Sequence, residues 1–254
     1  MIAIATVGAI VLATAGAESL AGVAAPSDPL EAAAHAFASA PQNAERVMIV
    51  GNSVAALLGP GMQAVNSRPI AVFNAAVVGC RFPAAIPGTG FKAVRGNLIV
   101  VPAPPCDPPW EVGAIARFRP NVVFWINDDI RLGGSYRGQK IQPCSEPYDS
   151  LYQRSLKAEI NRLGHGGAHV VVTTEAYATY LLTEVPHRAT DCENRMTRAI
   201  AAETGAQLVD LFGYVCPNGR CRAKIDGVTL RPDGLHYQGP GARLVASWLI
   251  DQVR

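Results

Sequence analysis

The sequence predicts an α/β domain built round a mostly parallel sheet, and three observations carry that prediction. A chain of 254 residues can bury one good core. Along it, short apolar runs alternate with segments of helical periodicity, the pattern of successive βα units. The first of these runs leads into Gly51-Asn52-Ser53 and the last helical stretch follows Asp233-Gly234-Leu235-His236. Both would then meet at the carboxyl edge of the sheet, where such folds place their sites.

Taken in order, residues 1–25 stand apart from the rest. Ile2 to Ala15 is uncharged and rich in Ala, Ile and Val, and Ala15-Gly16-Ala17 resembles a small-residue cleavage site, so a signal peptide is expected. Its positive flank is missing, since the first basic residue is Arg46, and an uncleaved hydrophobic anchor or the remnant of a longer apolar segment are the alternatives. All three readings place the remainder outside the cytoplasm, secreted or membrane-anchored. Residues 26–44 are rich in Ala, Pro and Ser and read as a linker with one helix over Leu30 to Ala38. The domain proper runs over 45–254. Its strands are expected at 46–50, 70–75, 121–126, 168–173 and 206–211, and its helices at 54–63, 109–118, 149–163, 193–204 and 240–253. Leu151, Leu156, Ile160 and Leu163 share one helical face, with Lys157, Glu159 and Arg162 on the other. Two stretches resist the pattern, 79–108 and 131–148, and loops of that length form a functional rim or are stapled.

Charge excludes one large class of partner. With 22 basic and 20 acidic residues the net charge is +2, and no basic run interleaved with aromatics offers a nucleic-acid groove. Cysteine usage agrees with export: Cys80, Cys106, Cys144, Cys192, Cys216 and Cys221 are an even set outside the leader. Six thiols allow 15 pairings. The pairing expected here is Cys80–Cys106, Cys144–Cys192 and Cys216–Cys221, against a zinc reading for which no second cysteine pair has suitable spacing.

The residues that carry chemistry lie at opposite ends of the chain. Arg46-Val47-Met48-Ile49-Val50 reads as a buried strand, and Ser53 follows it at a strand-to-helix turn, with its own N–H at a helix N-terminus where negative charge is stabilised. Serine there also serves as an ordinary helix N-cap. Asp233 precedes His236 by three residues in a Pro/Gly setting, a spacing that lets a carboxylate fix an imidazole tautomer; as a plain turn, Asp-Gly needs no such role. His35 falls in the linker, His165 and His169 flank a Gly-Gly between a helix and a strand, and His187 is read as a loop residue, which leaves His236 as the base.

Gly51-Asn52-Ser53-Val54 resembles the first sequence block of the SGNH (GDSL-like) hydrolases, and Asp233-Gly234-Leu235-His236 their last. Gly79-Cys80, Trp110, Pro120-Asn121-Val122-Val123, Asp210-Leu211 through Val215-Cys216-Pro217, and Asp226 through His236 further resemble the extracytoplasmic SGNH domain of bacterial membrane O-acyltransferases. The resemblance covers about residues 46 to 254. It implies a flavodoxin-like three-layer α/β/α sandwich with a mostly parallel sheet, Ser53 as nucleophile, His236 as base and Asp233 as its orienter. It also implies an oxyanion hole from the Ser53 N–H, Gly79 and Asn127. Asn127 reads equally as a strand-terminating turn residue, Trp125 replaces the family's glycine, and Asn52 stands where the family has aspartate.

The expected function is acyl-ester chemistry through an acyl-serine, with acetyl as the group the resemblance implies, and with water or a sugar hydroxyl as second acceptor. An acylated saccharide or other small ester is the expected partner, with no metal or organic cofactor and no nucleic acid. Membrane contact is expected only through an uncleaved N-terminal segment. The chain could work beside a separate membrane acyl-donor protein. The alternative is a catalytically silent module binding a glycan or partner protein through loops 79–108 and 131–148.

Overall fold

The computed structural model describes residues 28–86, 89–94, 97–126, 134–180, 183–184 and 187–253. Five parallel strands form the central sheet: β1 (Glu45–Gly51), β2 (Ile70–Asn74), β5 (Val122–Ile126), β8 (His169–Thr173) and β11 (Gln207–Val209). They are laid side by side as β2-β1-β5-β8-β11. Buried on both faces, the central strands have no polar side to show water and read as unbroken apolar runs such as Val-Val-Phe-Trp-Ile in β5.

The two-residue alternation of each strand feeds two cores. Val47 and Ile49 of β1 point, with Val122, Phe124 and Ile126 of β5, into one cluster that includes Val54, Ala55, Leu58 and Met62 of α2 (Ser53–Gln63) and Val245, Ala246 and Leu249 of α7 (Gly239–Asp251). Met48 and Val50 point the other way, with Val123 and Trp125, against α3 (Glu111–Phe118), α4 (Tyr148–Leu163) and α5 (His187–Thr204). The result is the three-layer α/β/α sandwich. The winding reverses at β1, because β2 lies on one side of it and β5 on the other, and the gap between β1 and β5 is the switch point at which such sheets hold ligands.

The stretch read as a linker holds α1 (Pro29–Ala38), capped by Asp28, whose Oδ1 accepts from the Leu30 and Glu31 N–H groups. Its Ala33 is buried in the second core, so this helix packs as part of the fold. The expected elements recur within a few residues, with three corrections. First, the 79–108 and 131–148 stretches contain hairpins, β3 (Thr89–Val94) with β4 (Asn97–Pro102) and β6 (Gly134–Tyr136) with β7 (Gln139–Ile141), and a further short pair joins β9 (Thr179–Tyr180) to β10 (Thr183–Glu184). Second, α5 starts at His187, which opens a helix and is not a loop residue. Its first turns lack an apolar stripe and are held by the Cys144–Cys192 disulfide. Third, the last strand stops at Val209 and Leu211–Val215 forms the short helix α6, whose Phe212 N–H donates to Thr174 Oγ1.

The six cysteines pair as Cys80–Cys106, Cys144–Cys192 and Cys216–Cys221. Among the described residues, no helix is long and apolar enough to cross a membrane.

Candidate active site

The ends of the chain meet because α2 and α7 lie against each other with their backbones nearly touching. A methyl group added at Gly61 of α2 would sit 2.5 Å from the Ala242 carbonyl oxygen of α7. One added at Gly241 would sit 2.5 Å from the Thr229 carbonyl oxygen, in the hairpin of β12 (Lys224–Ile225) and β13 (Val228–Thr229). Glycine permits both approaches. They draw the 230–238 loop down onto the start of α2.

The corner before α2 is equally constrained. Gly51 has φ +129°, and any β-carbon there would lie 1.8 Å from the Ile126 carbonyl oxygen at the end of β5. Asn52 then caps the helix, its Oδ1 accepting from the Val54 N–H at 3.0 Å. The cap role that Ser53 could have filled is thus taken by its neighbour. Asparagine supplies the accepting oxygen without the charge of the family's aspartate. Ser53 occupies the first turn of α2, and its Oγ lies 2.8 Å from His236 Nε2.

On the far side of the ring, His236 Nδ1 lies 2.7 Å from Asp233 Oδ2. A carboxylate only accepts, so Nδ1 carries the ring proton and Nε2 is left to accept from the Ser53 hydroxyl. Asp233 is itself fixed by four donors. Its Oδ1 accepts from the Leu235 and His236 N–H groups at 3.0 and 2.8 Å, and its Oδ2 also accepts from Gln238 Nε2 at 3.2 Å. Partial burial pushes this carboxyl up, but the bonds from the His236 ring and from the two backbone N–H groups outweigh it and hold Asp233 below its ordinary value. His236 is buried, at 2 % exposure, so the imidazole keeps this orientation.

Three sequence-predicted residues, Ser53, Asp233 and His236, are therefore brought into one line. Gly79 is placed close by: the Val77 N–H donates to the Gly51 carbonyl at 2.8 Å, and the turn from Val77 to Cys80 carries Gly79 at φ +71°. That turn needs a glycine at its third position. Asn127 lies outside the described residues. Sequence reasoning missed Gln238, which steadies Asp233; its signal was only its place five residues after the aspartate. It also missed Asn74, whose Nδ2 donates to the Ala56 carbonyl and ties the end of β2 to α2.

A second group of ionisable side chains lies between α3 and α4. Arg162 pairs with Glu111 at 2.6 Å and, through Nε, with Glu159 at 3.0 Å. Both glutamates are buried. As carboxylates, Glu111 Oε1 and Glu159 Oε1 would accept no hydrogen bond. Burial first, then the charge of Glu159, pushes Glu111 up to about 9. Burial likewise pushes Glu159 up to about 7 against the pull of Arg162. A proton held by Glu111 makes the pair donor and acceptor and leaves one glutamate charge, beside Asp107, facing Arg162.

The SGNH domain family (fused to AT3 domains) matches residues 24–250. The chain belongs to the SGNH family. This is the class of SGNH-type esterases and acyltransferases. No curated protein matches the chain. Solved structures share its fold at low identity. The periplasmic domain of a lipopolysaccharide acetyltransferase from Salmonella ser. Paratyphi A is 12% identical, with a TM-score of 0.59 over 87% of this chain and 87% of that one. A GDSL-like lipase from Bacteroides thetaiotaomicron is 12% identical, with a TM-score of 0.55 over 89% and 96%. An acetyl xylan esterase is 14% identical, with a TM-score of 0.53 over 82% and 100%.

Proposed function

We propose that this SGNH domain transfers acyl groups from saccharide esters outside the cytoplasm, with Ser53 as nucleophile, His236 as general base and Asp233 as its orienter. The observation that carries the reading is the unbroken line from Ser53 Oγ through His236 Nε2 and Nδ1 to Asp233, with contacts of 2.8 and 2.7 Å. In the first half-reaction Ser53 Oγ attacks the ester carbonyl while its proton passes to His236 Nε2. The oxyanion is held by the Ser53 N–H at the start of α2 and by Gly79 in the adjoining turn, with Asn127 as a third donor. The bond to the leaving alkoxide breaks, and the alkoxide takes the proton from Nε2. An acyl-serine remains. In the second half, water or a sugar hydroxyl gives its proton to Nε2 and attacks the acyl carbon, and Ser53 Oγ leaves and recovers the proton.

The family's association with AT3 domains and the acetyltransferase and acetyl esterase among its structural neighbours favour acetyl as the group transferred. They also favour a membrane acyltransferase as working partner and an exported domain behind a signal or anchor within residues 1–25. The intact Ser–His–Asp line argues against a silent binding module.

A serine-directed fluorophosphonate is expected to label wild-type protein at Ser53 and not Ser53→Ala, and the wild type should turn over aryl acetates. A folded wild-type protein that neither labels nor hydrolyses any acyl length would transfer the reading to the binding module.

A further inference from the structure

One cleft outside the Ser53–His236–Asp233 line shares a wall with it. It encloses about 280 Å³ and is lined by Tyr177, His187, Arg222, Arg231 and Gly234, among others. Gly234 follows Asp233 and lies two residues before His236, a span of at most about 7 Å along the chain. The cleft wall at Gly234 therefore lies within about 7 Å of the His236 backbone.

Among the described residues no carboxylate lines this cleft, and two arginines do. Arg231 is oriented without an acid: its Nη1 donates to the Tyr177 carbonyl at 2.7 Å, and its Cζ lies 5.8 Å from the centre of the Tyr237 ring. Arg222 is exposed, yet its backbone is fixed. Its N–H donates to the Val215 carbonyl at 2.9 Å, directly after the loop closed by Cys216–Cys221. Asp233, which adjoins the cleft through Gly234, directs its carboxylate to His236 and Gln238 instead. The lining also holds an aromatic pair next to Arg231, Tyr177 stacked on His187 with ring centres 3.7 Å apart and planes 2° apart. The Tyr177 hydroxyl donates to Asp191, which holds the ring in place.

Two arginines with no acidic partner among the described residues, beside a stacked ring pair, make a binding site for an anion on an otherwise neutral, ring-shaped ligand. We infer that this cleft seats an anionic sugar residue, bearing a carboxylate or a phosphate, next to the unit whose ester reaches Ser53. The inference rests on the saccharide-ester reading above and gives that substrate a charge.

The experiment measures binding rather than turnover, so that the two readings fail separately. Ser53→Ala protein is titrated at low salt with tetragalacturonate, with a glycerol-phosphate-linked oligosaccharide, and with neutral maltotetraose of matching length. At least one of the charged oligosaccharides is expected to bind about tenfold more tightly than the neutral one, the scale of one charge-assisted contact. Which of them does so separates a carboxylate from a phosphate ligand. Arg222→Glu in the same background is expected to abolish that preference, and Arg222→Lys to keep part of it. Arg231→Gln, with folding checked by circular dichroism, serves as a second probe and should also reduce the preference. Equal binding of charged and neutral sugars, a preference that survives Arg222→Glu, or no sugar binding at all while wild-type protein turns over aryl acetates would each overturn the anionic subsite. Loss of aryl-acetate turnover in the wild type overturns the catalytic reading whatever the titrations show.

Discussion

Two groups of carboxyls in this molecule meet opposite fates, and the contrast shows that burial alone does not decide ionisation. Asp233 sits in a loop that surrounds it with donors, two backbone N–H groups, an imidazole and an amide, and its carboxyl is held down. Glu111 opens α3 and Glu159 lies inside α4. They face each other and a single arginine, and both are held up. The turn at Asp233 aims two main-chain N–H groups at its side chain, and among the described residues no main-chain donor bonds the Glu111 carboxyl or Glu159 Oε1. The first arrangement keeps a charge in place to orient a histidine, and the second keeps a proton in the interior.

The sharpest way to break this contrast is at the loop. His236→Ala is expected to lower kcat on an aryl acetate by on the order of 10⁶, and Asp233→Asn by about 10⁴, because the amide no longer holds the Nδ1–H tautomer. Steady-state kinetics checks both, and a loss below about tenfold for Asp233→Asn would mean that the donors around this carboxyl serve the loop and not the histidine.

The helix pair is tested by stability against pH. A carboxyl held up contributes stability that is fully present below its ordinary value of 4.5 and is lost as pH rises, through about 7 for Glu159 and about 9 for Glu111. Asp233 has the opposite sign: its contribution is present above its ordinary 3.8 and is lost as pH falls through its lowered value. Urea unfolding is therefore expected to show stability falling between pH 5 and 9. Glu111→Gln, whose amide mimics the protonated acid, should flatten that fall and leave aryl-acetate turnover as it was. A flat wild-type profile over this range would remove the shared proton.

The smallest effects compare the staples near each region. Cys144–Cys192 closes 48 residues and Cys216–Cys221 closes 5. Replacing each pair by alanine should cost about 4 and about 2 kcal/mol respectively, since longer loops gain more from closure. Denaturant midpoints measured with and without reductant check the order.

Much of this was legible in the sequence because the signals were local or periodic. The three central strands, β1, β5 and β8, are mostly unbroken apolar runs, and Asp233 and His236 are three residues apart in a turn-rich segment, so neither needed tertiary context. The pairing of Ser53 with His236 was legible only through the βα repeat that places both at one sheet edge. What escaped has tertiary causes. The first turns of α5 carry Arg188, Asp191 and Glu193 with no apolar stripe, and the disulfide at Cys192 anchors them. Leu-Phe-Gly-Tyr-Val of α6 is too short to show a helical period and continues the apolar run of β11. Gln238 acquires its part only when the loop folds back on Asp233. The hairpin of β3 and β4 is an excursion from the sheet that no βα rhythm announces.

The close crossing of α2 and α7 also sets when the site comes into being. Ser53 and His236 are 183 residues apart, and the helix that presses the histidine loop onto the serine begins only at Gly239. A chain still emerging from the ribosome displays a finished first strand and its serine long before any base can reach it. A truncation that removes α7 alone keeps the serine, the aspartate and the histidine and is expected to lose their alignment. The Ser53–His236 contact waits on α7, and a copy that stops between His236 and Gly239 carries the three side chains without the constellation.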